Sequence, residues 1–113
     1  MININSELIG KDKIAEIVNK IVSGYDPEKI ILFGSYASGN PNKNSDLDLF
    51  VIKDTGLPRP QRAVQVRRLI YRSMIPIDLL VYTPKEVENS KNNKYSIVFE
   101  VFNSGKILYE RIN

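Results

Sequence analysis

Two aspartates separated by one residue, Asp46 and Asp48, stand in an apolar run and could bind a divalent cation. Side chains alternate between the faces of a strand, so positions i and i+2 project from the same side, about 7 Å apart. Carboxylates held this way repel each other and lose hydration unless a cation lies between them. Mg²⁺ prefers such oxygen ligands, together with phosphate oxygens of a substrate. The alternative is a solvated acid pair at a strand end, since short motifs often match by chance.

A glycine and a serine, Gly34 and Ser35, directly follow another short apolar run and could hold a phosphate group. Glycine at such a turn lets backbone N–H groups face outward, and a short helix after it presents its N-terminus to an anion. Alone, the two residues could equally form an ordinary β-turn. Together with two acids on the next strand, they predict phosphate donors and a metal site at one edge of a sheet.

A third acid, Asp78, lies near the start of a later apolar run. If that strand pairs with the strand of Asp48, as sequential elements often do, all three carboxylates reach the same face. The alternative is that Asp78 caps the chain after Pro76.

Apolar periodicity predicts the elements that must position these side chains. We expect strands at 29–33, 46–52 and 77–82, with a closing edge strand at 107–109. We expect a first helix capped by Ser6 and ended by Gly24, a helix at 61–75, a short helix opened by Thr83 and Pro84, and a helix at 96–103. This order predicts one domain, 1–113, of the α/β (α+β) class, with a mixed sheet of about four strands flanked by helices.

The composition excludes several kinds of chemistry. The 113 residues contain no Cys and no His, which removes thiol nucleophiles, Cys/His zinc sites and imidazole bases. No apolar run approaches the roughly 20 residues of a membrane span, and the first ten residues lack the basic and then apolar pattern of a signal peptide. We therefore expect a cytoplasmic protein without a membrane partner.

The basic residues are unevenly distributed. The net charge is +3, and between Thr55 and Ile77 there are five arginines and no acid: Arg59, Arg62, Arg67, Arg68 and Arg72. Such a segment permits a nucleic-acid binder, whose affinity would fall strongly with salt. It is equally a solvated helix face, and the segment lacks the interleaved aromatics that stack on single strands.

The compound pattern resembles a known family. The segments Gly34-Ser35-Tyr36-Ala37-Ser38-Gly39 and Ser45-Asp46-Leu47-Asp48-Leu49, followed by Asp78, resemble the nucleotidyltransferase superfamily that includes the DNA polymerase β palm. The likeness is greatest to its minimal nucleotidyltransferases, in the MntA-like antitoxin branch. It extends from the helix before Lys29 to the segment 105–109.

This resemblance implies the nucleotidyltransferase fold and the Mg²⁺-dependent transfer of a nucleoside monophosphate, AMP from ATP, to an acceptor hydroxyl. It implies that Gly34 and Ser35 hold the β- and γ-phosphates, and that Asp46 and Asp48 bind two Mg²⁺ ions. Asp78 would ligate the metal near the acceptor and help to take its proton. Two such metals stabilise the attacking and leaving oxygens together.

The resemblance also implies a partner, because 113 residues leave no room for an acceptor-binding domain. The implied partner is a separately encoded helical protein of the HEPN class, a toxin that the chain would neutralise by adenylylating a tyrosine. One departure favours an alternative: Ser38 stands where the family commonly has arginine, which removes a bidentate partner for phosphate or carboxylate. The alternative is an antitoxin that neutralises its partner by binding alone.

Overall fold

The computed structural model describes residues 8–112, in which helices alternate with four short strands. The elements are α1 Lys11–Tyr25, β1 Lys29–Phe33, α2 Ser35–Ser38, β2 Leu47–Ile52, α3 Arg59–Ile70, a 3₁₀ turn Tyr71–Ser73, β3 Ile77–Tyr82, α4 Pro84–Ser90, α5 Ile97–Ser104 and β4 Lys106–Glu110. No helix in this range is long and apolar enough to cross a bilayer.

The four strands form one sheet in the order β3-β2-β1-β4. β2 and β3 run parallel, whereas β1 pairs antiparallel with both β2 and β4. The sheet is therefore mixed, as predicted, and the expectation that the strand of Asp78 lies beside that of Asp48 is confirmed. The pairing of β1 with β4 shifts register between Ile30 and Ile31, which marks a β-bulge.

Both faces of the sheet are buried, because helices pack on each side. Alternate residues of β1 and β2 point to one face, where they form a core with α1 and α3 that includes Ile17, Leu49 and Val66. The remaining residues form a second core with α4 and α5, centred on Phe50 and including Val98. Burial on both faces explains why β1 and β2 read as nearly continuous apolar runs.

The first helix differs from the prediction at its C-terminal end. Gly24 does not end α1, which continues to Tyr25 and closes at Asp26 in the left-handed conformation. A Cβ at position 24 would collide with the side chain of Leu69 in α3, so this glycine serves close helix packing. At the other end Gly10 occupies the N-cap position. The predicted cap, Ser6, lies outside the described residues.

Other boundaries differ as well, and β4 is one residue longer at each end than the predicted 107–109. The helix predicted at 61–75 begins at Arg59 and ends at Ile70, after which a 3₁₀ turn leads to Met74 in the left-handed conformation, with φ of 59°. Pro76 disfavours the helical conformation only at Ile75, the residue before it, whereas the backbone leaves the α-helical conformation earlier, at Ile70, with φ of −121° and ψ of 6°. β2 begins at Leu47, so Asp46 immediately precedes the strand. The predicted helix at 96–103 begins at Ile97, with Ser96 as its N-cap.

Candidate active site

The candidate site lies where β2 and β3 begin and β1 ends. Asp48 on β2 is opposite Phe33, the last residue of β1, and its other neighbour in the sheet is Asp78 on β3. Because side chains alternate along a strand, Asp48 shares the face of Phe50, which the helices α4 and α5 cover. Asp48 is half-buried and Asp78 is exposed, so the two carboxylates stand at the rim of this core.

Gly34 brings the turn after β1 against the carboxylate of Asp48. Its backbone has φ of 73° and ψ of −154°, a conformation that is essentially restricted to glycine. A Cβ built at this position would overlap the carboxylate of Asp48. Position 34 therefore requires glycine for two independent reasons, its backbone angles and the closeness of Asp48.

Ser35 begins α2, a single helical turn directly after Gly34. The amides of Ala37 and Ser38 donate to the Gly34 carbonyl, at 3.1 Å each, so the turn is closed on itself. The first amides of a helix have no acceptor within the helix and are free to bind an anion. The Ser38 hydroxyl donates to the carbonyl of Ser35 at 3.1 Å. The side chain at the position of the family arginine thus makes a local contact within α2.

Negative charge accumulates around Asp48 and changes its titration. The pKa of Asp48 is raised from 3.8 to about 6; burial is the largest cause, and the nearby carboxyl groups of Asp78, Asp46 and Glu100 add to it. Hydrogen bonding to the Asp78 carboxyl group is a further cause of the raised pKa of Asp48. Such a site disfavours its own ionised form and is suited to an added positive charge.

The donor set fits a divalent cation of the magnesium type, since it consists of carboxylate oxygens beside a turn that begins a helix. The ligands are not fully assembled: within residues 8–112 no three acidic side chains are grouped closely enough to hold an ion. The structure brings Gly34, Asp48 and Asp78 together. Asp46 is exposed in the loop before β2 and acts on Asp48 only through its charge.

Glu100 is the acid near the site that the sequence interpretation did not identify. It lies on α5, whose buried residues Val98 and Val101 pack on the sheet face that carries Asp48. Helical periodicity predicts α5 but says nothing of where that helix crosses the sheet. No spacing in the sequence connects position 100 with position 48.

Most arginines of the basic segment bind other groups of the same chain. Arg62 is 7% exposed and binds both carboxylate oxygens of Glu86, the nearer at 2.7 Å. Arg59 also pairs with Glu86, and Arg67 donates to the carbonyl of Ile77. Burial is the largest single influence on the pKa of Glu86 and acts to raise it, but the hydrogen bonds from Arg62 and from the Thr83 backbone, with the charges of Arg62 and Arg59, together lower this pKa below its usual value. These contacts within the protein account for the presence of three of the five arginines, so these three do not require a nucleic-acid ligand.

Comparison with known proteins identifies relatives over most of the chain. A family model described as polymerase beta, nucleotidyltransferase matches residues 13–113. A candidate protein adenylyltransferase of Methanocaldococcus jannaschii is 32% identical over 99 residues, which cover 85% of this chain and 94% of that protein. A second one from the same organism is 33% identical over 98 residues, or 80% of this chain and 63% of the relative, so the match spans less than two thirds of that protein.

Solved structures share the fold. A candidate nucleotidyltransferase from Sulfolobus solfataricus superposes with a TM-score of 0.66 at 22% identity, covering 96% of this chain and 86% of that one. A chain of a toxin–antitoxin complex with AMP-PNP gives 0.61 at 24% identity, covering 88% and 73%. A chain from the Shewanella oneidensis complex of a tri-AMPylated HEPN toxin with its MNT antitoxin gives 0.56 at 20% identity, covering 89% and 72%. The predicted nucleotidyltransferase fold is thereby confirmed.

Proposed function

The chain belongs to the polymerase beta nucleotidyltransferase family, and from this we propose that it transfers AMP from ATP to a tyrosine hydroxyl of a HEPN-class toxin. The observation that carries the proposal is the arrangement around Asp48, which has a glycine-serine turn on one side and Asp78 on the other. Two further findings support it. The M. jannaschii relatives are candidate protein adenylyltransferases, and a HEPN toxin carries AMP in one complex that shares the fold.

Each residue of the site has a role in this reaction. Gly34 and Ser35 would hold the β- and γ-phosphates, because the turn presents backbone amides and a hydroxyl without a side chain in the way. Asp46, Asp48 and Asp78 would hold Mg²⁺, with Asp46 turning inward from its exposed loop. Bound there, Mg²⁺ supplies positive charge that neutralises the triphosphate and the carboxylates.

The transfer itself forms one bond and breaks one. The acceptor hydroxyl oxygen attacks the α-phosphorus of ATP, the bond from that phosphorus to the β-phosphate oxygen breaks, and pyrophosphate leaves. Asp78, the exposed carboxylate of the pair, would take the proton of the hydroxyl. In such a transfer, positioning and charge would provide most of the catalysis.

The decisive experiment follows the label from ATP to protein. The chain is incubated with Mg²⁺, with ATP labelled at either the α- or the γ-phosphate, and with the product of the neighbouring gene as the candidate HEPN-class partner. We expect the α-label alone to appear on the partner, and Asp48→Asn to abolish its transfer. Asp54→Asn, which neutralises an exposed carboxylate in the loop after β2, is the matched control, and this variant should transfer the label normally. Unlabelled partner after wild-type incubation, with ATP binding verified by calorimetry, would refute the transfer.

A second candidate function is neutralisation by binding alone, favoured by Ser38 in place of the family arginine. Its hydroxyl is occupied by the Ser35 carbonyl, and it offers no guanidinium to a phosphate. If this function is correct, Asp48→Asn neutralises the toxin in cells as well as the wild type does. If the variant binds the toxin and fails to neutralise it, adenylylation is the active step.

A further inference from the structure

The segment that leads into β3 exposes a strip of surface that is continuous with Asp78. Alternate residues of this segment pack on the core formed with α1 and α3: Ile75, Ile77 and Leu79. Pro76 and Asp78, which lie between them, are exposed. The carbonyl of Pro76 accepts from the amide of Leu47, so the pairing of β2 with β3 extends to Pro76. Pro76 and Asp78 therefore lie on one face of the sheet, side by side.

Met74 lies at the end of this strip away from Asp78. Its side chain is 88% exposed, and its backbone is left-handed, with φ of 59°. That conformation favours glycine or asparagine, and a side chain so exposed contributes little to the core. Neither the backbone nor the packing of this domain therefore requires methionine at position 74. Since Met74 is four residues from Asp78, the two Cα atoms are at most about 14 Å apart.

An exposed tyrosine and two arginines stand beside Met74. Tyr71 is 65% exposed, and its hydroxyl accepts from Nε of Arg72 at 3.0 Å. Arg68, three residues before Tyr71, is exposed in the last turn of α3. Within residues 8–112, neither Arg68 nor Arg72 forms an ion pair with an acid. We call these four residues the turn patch: Arg68, Tyr71, Arg72 and Met74.

The turn patch has the composition of a surface that contacts protein. Methionine, tyrosine and arginine are enriched where proteins touch, whereas lysine, glutamate and aspartate are depleted there. Methionine also adapts its shape to an apolar partner. Nucleic-acid binding depends on many phosphate contacts, and two guanidinium groups provide few. The charge and the apolar surface together favour a protein that presents carboxylates around an apolar side chain.

We propose that the turn patch is a docking surface for the protein that receives AMP, and that this protein presents acidic residues and an apolar side chain to it. The inference rests on the proposed function, because an acceptor hydroxyl that reaches Asp78 brings its protein against the surface beside Asp78. Met74 would contact the apolar side chain, and Arg68 and Arg72 would bind the carboxylates. Asp46 and Asp78 would hold Mg²⁺, whose charge offsets their repulsion of an acidic partner.

Binding of the neighbouring gene's product to an Asp48→Asn chain measures docking without transfer. Asparagine tolerates the left-handed conformation, so Met74→Asn removes the apolar side chain without straining the backbone. In this background we expect Met74→Asn to weaken binding at least about tenfold. Ile112→Asn is the matched control and should bind as before. It replaces a side chain that is 95% exposed beyond β4, whose last residue pairs with the first residue of β1, at the end of the sheet opposite the site.

The labelling assay tests the two arginines. Arg68→Gln combined with Arg72→Gln should raise the KM for the partner about tenfold, with kcat and the KM for ATP unchanged. Lys85→Gln, which removes an exposed cation where α4 follows the other end of β3, is the matched control. Added salt should weaken partner binding by the wild type more than binding by the double variant. Equal Tm values confirm that the variants are folded.

The outcomes separate the docking surface from the transfer reaction. If the wild type labels the partner, and Met74→Asn and the double arginine variant do so with an unchanged KM, the docking inference is wrong and the reaction stands. If the partner binds through the turn patch and never receives the α-label, the docking inference stands and the transfer fails. A partner that does not bind overturns the docking inference. So does an RNA of about 20 nucleotides that binds the wild type and loses affinity with the arginines, while Met74→Asn binds it normally.

Discussion

Removing the charge of Asp48 should make the protein more stable in the absence of metal and nucleotide. Asp48 is half-buried beside Asp78, and burial together with the neighbouring carboxylates raises its pKa from 3.8 to about 6. At neutral pH the folded protein therefore holds an ionised group that its surroundings disfavour. Asp48→Asn keeps the shape of the side chain and removes that charge.

The size of the effect follows from the shift in pKa. A difference of two units corresponds to an upper limit of about 3 kcal/mol in the free energy of unfolding. Solvent reaches part of the carboxylate and screens it, which reduces the expected gain to roughly 1 kcal/mol. For a domain of this length that gain raises Tm by about 4 °C.

The pH dependence has a definite sign. Between pH 3.8 and about 6, the folded state binds more protons at Asp48 than the unfolded state does. The contribution of Asp48 to stability therefore falls as pH rises through this window and is constant above it. The advantage of Asp48→Asn over the wild type should be absent below pH 4, grow up to pH 6 and then remain.

Thermal and urea unfolding of the two proteins from pH 4 to pH 8 measure this difference, with Asp54→Asn as the control for loss of one surface charge. Magnesium with ATP should raise the Tm of the wild type and leave that of Asp48→Asn unchanged. If Asp48→Asn is less stable than the wild type at pH 7.5, or if its advantage is the same at every pH, then burial and the neighbouring carboxylates do not destabilise the ionised form of Asp48.

Three other substitutions test separate parts of the structure. Gly34→Ala should lower stability by about 1–3 kcal/mol and abolish AMP transfer in the labelling assay, whereas Gly56→Ala, in open space, should do neither. Arg62→Met leaves Glu86 without its buried partner and should lower the free energy of unfolding in urea by about 2 kcal/mol. This is less than the cost of breaking a fully buried ion pair, because Glu86 is half-buried. Thr83→Ala removes the capping box of α4 and should cost about 1 kcal/mol in the same assay, while Thr83→Ser should restore most of it.

The strands were the most predictable elements, because burial on both faces leaves an apolar run with clear ends. The runs at 29–33 and 77–82 predict β1 and β3 to the residue, and the Thr83-Pro84 pair correctly predicts the start of α4. Helix ends were less predictable. Gly24 has the residue type of a helix C-terminus, yet α1 continues through it. Its lack of a side chain leaves room for Leu69, a residue 45 positions away in the sequence.

The candidate site was likewise predictable only in part. Spacing along the chain places Asp48 and Asp78 on strands, and sequential strands often pair, so their register could be anticipated. The approach of Gly34 to the carboxylate depends on how the turn after β1 folds over β2, and the charge of Glu100 depends on where α5 crosses the sheet. Both are tertiary relations between elements, and no local pattern encodes them.

The raised pKa of Asp48 connects the stability of the fold with the occupancy of the site. Gly34 lies against the carboxylate on the β1 side and Asp78 is its neighbour on β3, so neither of these neighbours offers the charge a cation. The triphosphate would bring such a cation with it. Binding should therefore release protons below about pH 6, and relief of the unfavourable ionised state of Asp48 should become part of the affinity for nucleotide. A site that was merely a solvated acid pair would show neither a raised pKa nor such a link, which is why the pH dependence of unfolding discriminates between the two.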